Sequence, residues 1–324
     1  MPFEQAGPEY TAARERAAYI ILPQAGYLRI RGEDRVEWLQ RQTSNDLRLL
    51  SATRAVRTVL TSPTARILDV LLLLEQGEEL GVLPLPGRAA ATQRYLRGRI
   101  FFMDQVTVDD ASDDVAHLLL EGPHAATALQ TLGLPIPAGV DARAVGTVNG
   151  VQVDVVGQPG VAGTAYRLLA PAPALDALRT ALGAAHIPQL PGTTHNILRV
   201  EAGLPAASHE LTEEYTPLEV GLRDLISETK GCYTGQEVIA RQITYDKVAR
   251  HLVGLRLDAP VAPGTEVRAE GKPVGKVTSA VVSPRFGPIA LAVLRRPYHE
   301  PGTEVALGGG DDSARGVVTT LPFA

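Results

Sequence analysis

Cysteine occurs once in the 324 residues, at Cys232. A lone thiol excludes an internal disulfide, a zinc site built on several thiolates and a self-contained iron–sulfur site with all-cysteine ligation. An intermolecular disulfide, or a cluster shared transiently with a partner, stays open. Positive charge is also in short supply. Thirty-one Lys and Arg against 36 Asp and Glu give a net charge of -5, which argues against direct binding to nucleic acid or to an anionic membrane surface. Apolar runs such as 70–74 are far too short to span a bilayer. The opening Met-Pro-Phe-Glu-Gln-Ala-Gly-Pro lacks the basic-then-apolar order of a secretory signal, so the cytoplasm is the expected compartment. The seven histidines form no i, i+4 ligand pair. No Gly-x-Ser-x-Gly and no dinucleotide fingerprint occurs. The lysines of 271–279 lack the Walker spacing and read as a hairpin.

What is present looks duplicated. Leu28-Arg29-Ile30-Arg31-Gly32 precedes a helix-like stretch with Val36, Leu39 and Gln40. About ninety residues on, Leu118-Leu119-Leu120-Glu121-Gly122 precedes Pro123, a good first helical residue, then Ala126, Leu129 and Gln130. Each unit continues with hairpin-like strands, 55–60 with 67–74 and 151–156 with 166–169, and then a helix. Strand–helix–hairpin–helix twice over predicts two related α+β units with antiparallel sheets. After Arg250 the pattern changes to short strands (252–257, 266–269, 274–282, 289–294, 304–307) punctuated by Gly-Pro turns, as in a small all-β barrel or sandwich. Gly308 to Asp312 reads as a hairpin tip.

The most suggestive string is Lys230-Gly231-Cys232-Tyr233-Thr234-Gly235-Gln236-Glu237. Thr234 and Glu237 are spaced as a capping box before an apolar helix face. That places the thiol just outside a helix N-terminus, where the macrodipole and Lys230 favour thiolate. The competing reading is a small buried hydrophobe. Glu201 follows a strand-like 196–200; a carboxylate there can accept paired hydrogen bonds from an amide-like heterocycle, or simply pair with Arg199 or Arg241. Glu219, in Thr216-Pro217-Leu218-Glu219, reads as a helix cap. Thr43-Ser44-Asn45-Asp46 reads as a loop. Asp69 is an unusual charge in an apolar strand.

Residues 199–205, 216–222 and 230–241, in this order, resemble the YgfZ branch of the folate-binding proteins related to the glycine-cleavage T-protein (aminomethyltransferase). Gly275 to Ser279, 283–284 and 289–292 resemble that family's C-terminal barrel; Gly32, Asp34, Leu39 and 43–46 are similar to its N-terminal signature. The resemblance implies two ferredoxin-like α+β units and a terminal β-barrel in a three-domain ring around a central folate cavity. The expected domains are 1–110, 111–248 (intertwined with the first and carrying the cysteine string) and 249–324. It implies tetrahydrofolate or a derivative as cofactor, with Glu201 matching the carboxylate that holds the pterin and Arg199, Tyr233, Gln236 and Arg241 beside it. It also implies a role in maturation or repair of iron–sulfur enzymes, including tRNA-thiolating ones, with Cys232 as the reactive group and Lys230 tuning it.

One departure is evident. The stretch that corresponds by resemblance to the transferase's asparagine-rich segment with its catalytic aspartate is 82–88, which has no acid, and that weakens general-acid help to one-carbon transfer. The expected function is therefore a folate-binding accessory factor serving iron–sulfur client or carrier proteins. A tetrahydrofolate-dependent aminomethyl transferase comes second and a ligand-free scaffold third. Arg241, Lys247 and Arg250 are candidates to meet the folate glutamate tail.

Overall fold

The computed structural model describes residues 7–22, 24–309 and 313–324. Two five-stranded antiparallel sheets and a closed six-stranded barrel organise the chain. The first sheet contains β2 (Leu28–Arg31), β3 (Val56–Thr61), β4 (Ile67–Gln76), β5 (Glu79–Leu83) and β6 (Thr107–Asp110), in the order β3-β4-β5-β2-β6. Helices α2 (Arg35–Gln40) and α3 (Ala89–Arg97) cover one face, burying Trp38, Leu39 and Leu96 against Leu71 and Leu73.

The second sheet contains β7 (Val115–Glu121), β8 (Arg143–Val148), β9 (Val151–Gly160) and β10 (Gly163–Pro171), covered by α4 (Ala125–Thr131) and α5 (Leu175–Ala184). Its order is β1-β7-β10-β9-β8, the first sheet's order with β1 (Ala18–Ile21) in the place of β6. That strand comes from the start of the chain, after helix α1 (Pro8–Glu15), and pairs with β7 from Ala18↔Glu121 to Ile21↔Leu118. The units are thus interwoven, and the sheet of the first begins at Leu28.

The duplication reaches single residues. Gly32 and Gly122 follow equivalent strands, and both have positive φ, 109° and 113°. A Cβ on Gly32 would overlap the Gln105 carbonyl, and one on Gly122 the Arg16 carbonyl. Those carbonyls lie just before β6 and β1, the equivalent edge strands, so glycine is required twice for one reason.

The barrel is β11 (Arg250–Leu257), β12 (Glu266–Ala269), β13 (Lys272–Ser283), β14 (Gly287–Arg295), β15 (Glu304–Leu307) and β16 (Ala314–Thr319), closed as β11-β14-β13-β12-β15-β16. Alternate residues such as Val253, Leu255, Val277, Ala290 and Leu294 fill it. The sequence pattern omits β16. The tip at Gly308 and Gly309 lies between β15 and β16, and its remaining residues, 310–312, lie outside the described residues.

Between the second sheet and the barrel run α6 (Gly192–Glu201) and α7 (Gln236–Thr244). Here the sequence reading is corrected. Residues 196–200 belong to helix α6, and Leu198, Arg199, Val200 and Glu201 are all buried. Four consecutive buried residues at its C-terminal end show no amphipathic period, and β-branched neighbours then imitate a strand. Among the described residues no helix is long and apolar enough to cross a membrane.

Candidate functional site

The uncovered faces of the two sheets meet. Leu72, Leu74 and Leu83 of the first pack with Val156 and Leu169 of the second. Beyond this contact the faces diverge, and a cavity of about 600 Å3 opens between both sheets, the 195–225 segment and the barrel. That volume falls in the usual range for a small-molecule site, about 300–1,000 Å3. Its apolar lining comes from every part of the chain: Val70 and Leu85, Leu22 and Leu119, Leu222, Leu252 and Leu321.

The polar groups in this lining are few. Strand alternation puts Leu118 and Leu120 into the second unit's core and turns Leu119 and Glu121 to the cavity. Arg167 on β10 stands opposite Leu119, one pleat from Glu121. Glu121 is 1% exposed, and its Oε2 accepts no hydrogen bond from the described residues. His195 Nε2 lies 3.3 Å away without hydrogen-bond geometry. A buried carboxylate oxygen without a donor is costly, so Glu121 has unused capacity facing the cavity. Arg167 donates from Nε to Gln158 Oε1 at 3.1 Å and has no carboxylate partner among the described residues. Burial pushes its guanidinium down to about 10.

The other two arginines of the lining are committed. Arg57 grips Asp141 with both ends of its fork, at 2.6 and 3.2 Å. Arg199 bonds Asn196 at 2.9 Å, Glu210 at 3.2 Å and the Ser279 hydroxyl at 2.8 Å. Ser279 in turn donates to Glu210 at 2.6 Å. This buried triad ties α6 to barrel strand β13.

Glu201 does not line the cavity. Its Oε1 accepts from the Tyr10 hydroxyl at 2.7 Å and the Ser283 hydroxyl at 2.6 Å, and its Oε2 pairs with Arg14 at 3.4 Å. The carboxylate joins α1, α6 and the barrel, and its acceptors are already engaged. Asp69 also faces away from the cavity, holding the Val70 and Leu85 N–H groups and the Thr92 hydroxyl. Burial raises it to about 6.

The cysteine string forms a second locality. Lys230 is buried, and its ammonium donates to the carbonyls of Gln40 (2.7 Å), Thr43 (2.6 Å) and Asn45 (2.7 Å). Burial lowers it to about 8. Its three donors are spent on the C-terminal end of α2 and the loop after it, rather than on the thiol. Ser44 completes that loop by donating to the Leu225 carbonyl at 2.6 Å. The Thr234 carbonyl accepts the Thr61 hydroxyl at 2.6 Å. Gly235, with φ 83° and no room for a Cβ beside the Ser62 carbonyl, is the N-cap of α7. The expected Thr234–Glu237 capping box is not formed, and Glu237 pairs with Arg241 at 2.6 Å on the exposed helix surface. The box at Thr216 and Glu219 does form, with Arg250 added to it. Clamped at Lys230 and Gly235, the loop leaves the Cys232 thiol exposed.

Of the residues expected at the ligand, then, Arg199 alone lines the cavity. Tyr233 and Gln236 line a separate small cleft beside α7. Arg241, Lys247 and Arg250 are engaged with Glu237, the Tyr245 ring and Glu219. Sequence reasoning missed Glu121 and Arg167. The available signal was a charge ending the apolar run Leu118-Leu119-Leu120.

The model described as the GCVT N-terminal domain matches residues 2–230, and the glycine cleavage T-protein C-terminal barrel domain matches 250–324. A chloroplastic protein of Arabidopsis thaliana, provisionally named a transferase, is 30% identical over 94% of this chain and 70% of its own length. The aminomethyltransferase of Saccharopolyspora erythraea is 30% identical over 100% of this chain and 91% of its own. The crystal structure of glycine cleavage system aminomethyltransferase T from Bartonella henselae has the same fold, with a TM-score of 0.86 at 23% identity, over 99% of this chain and 91% of that one.

Proposed function

Because the chain belongs to the glycine-cleavage T-protein family, we propose that its central cavity binds a reduced folate and that its anchored, exposed thiol serves the assembly or repair of iron–sulfur enzymes, as in the YgfZ branch. The observation that carries the folate reading is the unused Glu121 oxygen and, one pleat away, an Arg167 without a carboxylate partner among the described residues, in a cavity of folate size. A pterin presents an amino group and a ring N–H next to a carbonyl. Glu121 accepts from the first two and Arg167 donates to the third, the complementary set that a buried carboxylate and guanidinium supply. The apolar walls take the aminobenzoyl part. The folate, when bound, supplies a carrier for one-carbon units; the chain's own residues bind and orient it and exclude water.

The iron–sulfur role rests on the cysteine string. An exposed sulfur on a loop fixed at both ends is presented to a partner protein without loss of loop entropy on binding. Its clients are proteins that carry or receive clusters.

Fluorescence titration with tetrahydrofolate tests the cavity. Glu121→Gln weakens binding about tenfold or more, whereas Glu201→Gln lowers the melting temperature and leaves affinity near wild type. Equal affinity of wild type and Glu121→Gln ends the assignment. The aminomethyltransferase relatives favour a second reading, one-carbon transfer catalysed by the chain itself. Turnover of an aminomethyl donor with tetrahydrofolate at ordinary enzymatic rates establishes that reading over the accessory one.

A further inference from the structure

Phe101, Phe102 and Met103 are 68, 100 and 70% exposed at the turn after α3. The turn is firmly built. Asp104 accepts the Phe101 N–H at 2.9 Å, returns its own N–H to the Phe101 carbonyl, and is gripped by Arg41 at 2.8 Å. Three consecutive large apolar side chains held outward on one turn mark an interaction site.

A receptor of matching character is tied to the same residue, Arg41, that holds the turn. Ile226, Tyr233, Ile239 and Ile243 line a cleft of about 130 Å3 along α7. It is too small for a cofactor and suits one large side chain. Glu228 stands on its lip, and Glu237 on the first turn of the helix. Their partners are exposed arginines in exposed pairs, which are weak and easily exchanged. The knob follows Arg94, Arg97 and Arg99, of which Arg94 and Arg99 have no carboxylate partner among the described residues. A cation-flanked knob and an acid-lipped cleft are complementary in shape and sign.

Both features are fixed to one short stretch. Arg41 binds Asp104 through its side chain and accepts the Thr234 N–H through its carbonyl, and the Ser227 N–H at the cleft donates to the Ser44 carbonyl. Phe102 is fully exposed, so the knob does not fill its own cleft. A knob and its socket on one face is the arrangement that closes as a two-fold pair, each copy giving what it receives. We infer that this chain forms a reciprocal homodimer in which Phe102 of each copy enters the cleft beside Ile239 and Ile243 of the other, so that Cys232, one residue from the cleft's Tyr233, is covered in the pair and offered to a partner by the dissociated chain.

The test is sedimentation equilibrium of the full chain from micromolar to sub-millimolar concentration, with flotation on phosphatidylserine-containing vesicles in parallel. The mass is expected to rise towards that of two chains. Phe102→Asp, at a fully exposed position, and Ala240→Trp, which plugs the cleft from an exposed position, each raise the concentration for half-association about tenfold or more with unchanged circular dichroism and melting. Val145→Asp, exposed on β8, changes nothing. Iodoacetamide alkylation of Cys232 slows severalfold as wild type associates, and does not slow in Phe102→Asp. A chain that stays monomeric throughout, or floats with vesicles through Phe102 instead, overturns the proposal. So does a dimer indifferent to Phe102→Asp or Ala240→Trp.

Discussion

His117 shows how much one side chain can weigh. It is 3% exposed on β7 and packs edge-on to Tyr27, and both ring nitrogens lack partners among the described residues. Burial, with the Arg167 charge nearby, lowers it to about 3. The folded state therefore refuses a proton that the unfolded chain accepts, so stability is lost as pH falls from about 6.5 towards 3. At pH 5 the loss amounts to about 2 kcal/mol. His117→Leu is expected to remove this acid sensitivity. Denaturant unfolding of the variant and wild type at pH 7 and pH 5 checks it, since an unchanged difference between the two pH values contradicts the argument. None of this is legible in the sequence, where His117 is one of seven histidines without pattern. Glu121 escapes notice for a similar reason. Its meaning lies in what fails to reach it, and that depends on strands and a helix brought together by the fold. Glu201 was conspicuous in the sequence, yet its neighbours Tyr10 and Ser283 are 191 and 82 residues away, and they occupy it.

At the scale of elements, the repeated strand–helix–hairpin–helix order was readable because turn residues part apolar strands from helices in the same order twice. The cysteine string was readable as a unit but not in its wiring. Spacing pointed Lys230 at the thiol, whereas an ammonium has three donors and α2 ends in carbonyls that need them. Lys230→Met strands those carbonyls in a buried place. The expected cost is roughly 2–4 kcal/mol, together with faster amide exchange over 227–235 while exchange in the barrel strands is unaltered. Retained protection in that loop contradicts the clamp.

For the whole molecule, the cavity exists only while the barrel stays seated on the two sheets. The Arg199–Glu210–Ser279 triad is one buried polar link across that seam, beside the Glu201–Ser283 bond. Glu210→Gln leaves Arg199 buried without its countercharge, at an expected cost of roughly 3–5 kcal/mol. Calorimetry reads the cost as a lowered melting temperature. Because Leu252 and Leu321 of the barrel region form part of the cavity wall, folate affinity is expected to weaken in the same variant. A variant that melts normally shows that this triad does not hold the seam.

The interlaced strand β1 has a consequence for how the polypeptide comes into being. Synthesised early, it has no edge to join until β7 follows roughly a hundred residues later. The first unit's sheet, complete from 28 to 110, is free to close in the meantime. A nascent chain halted once residue 110 has cleared the ribosomal exit tunnel thus carries one closed sheet and a dangling ribbon. Clipping that ribbon afterwards damages the half that had not yet been made.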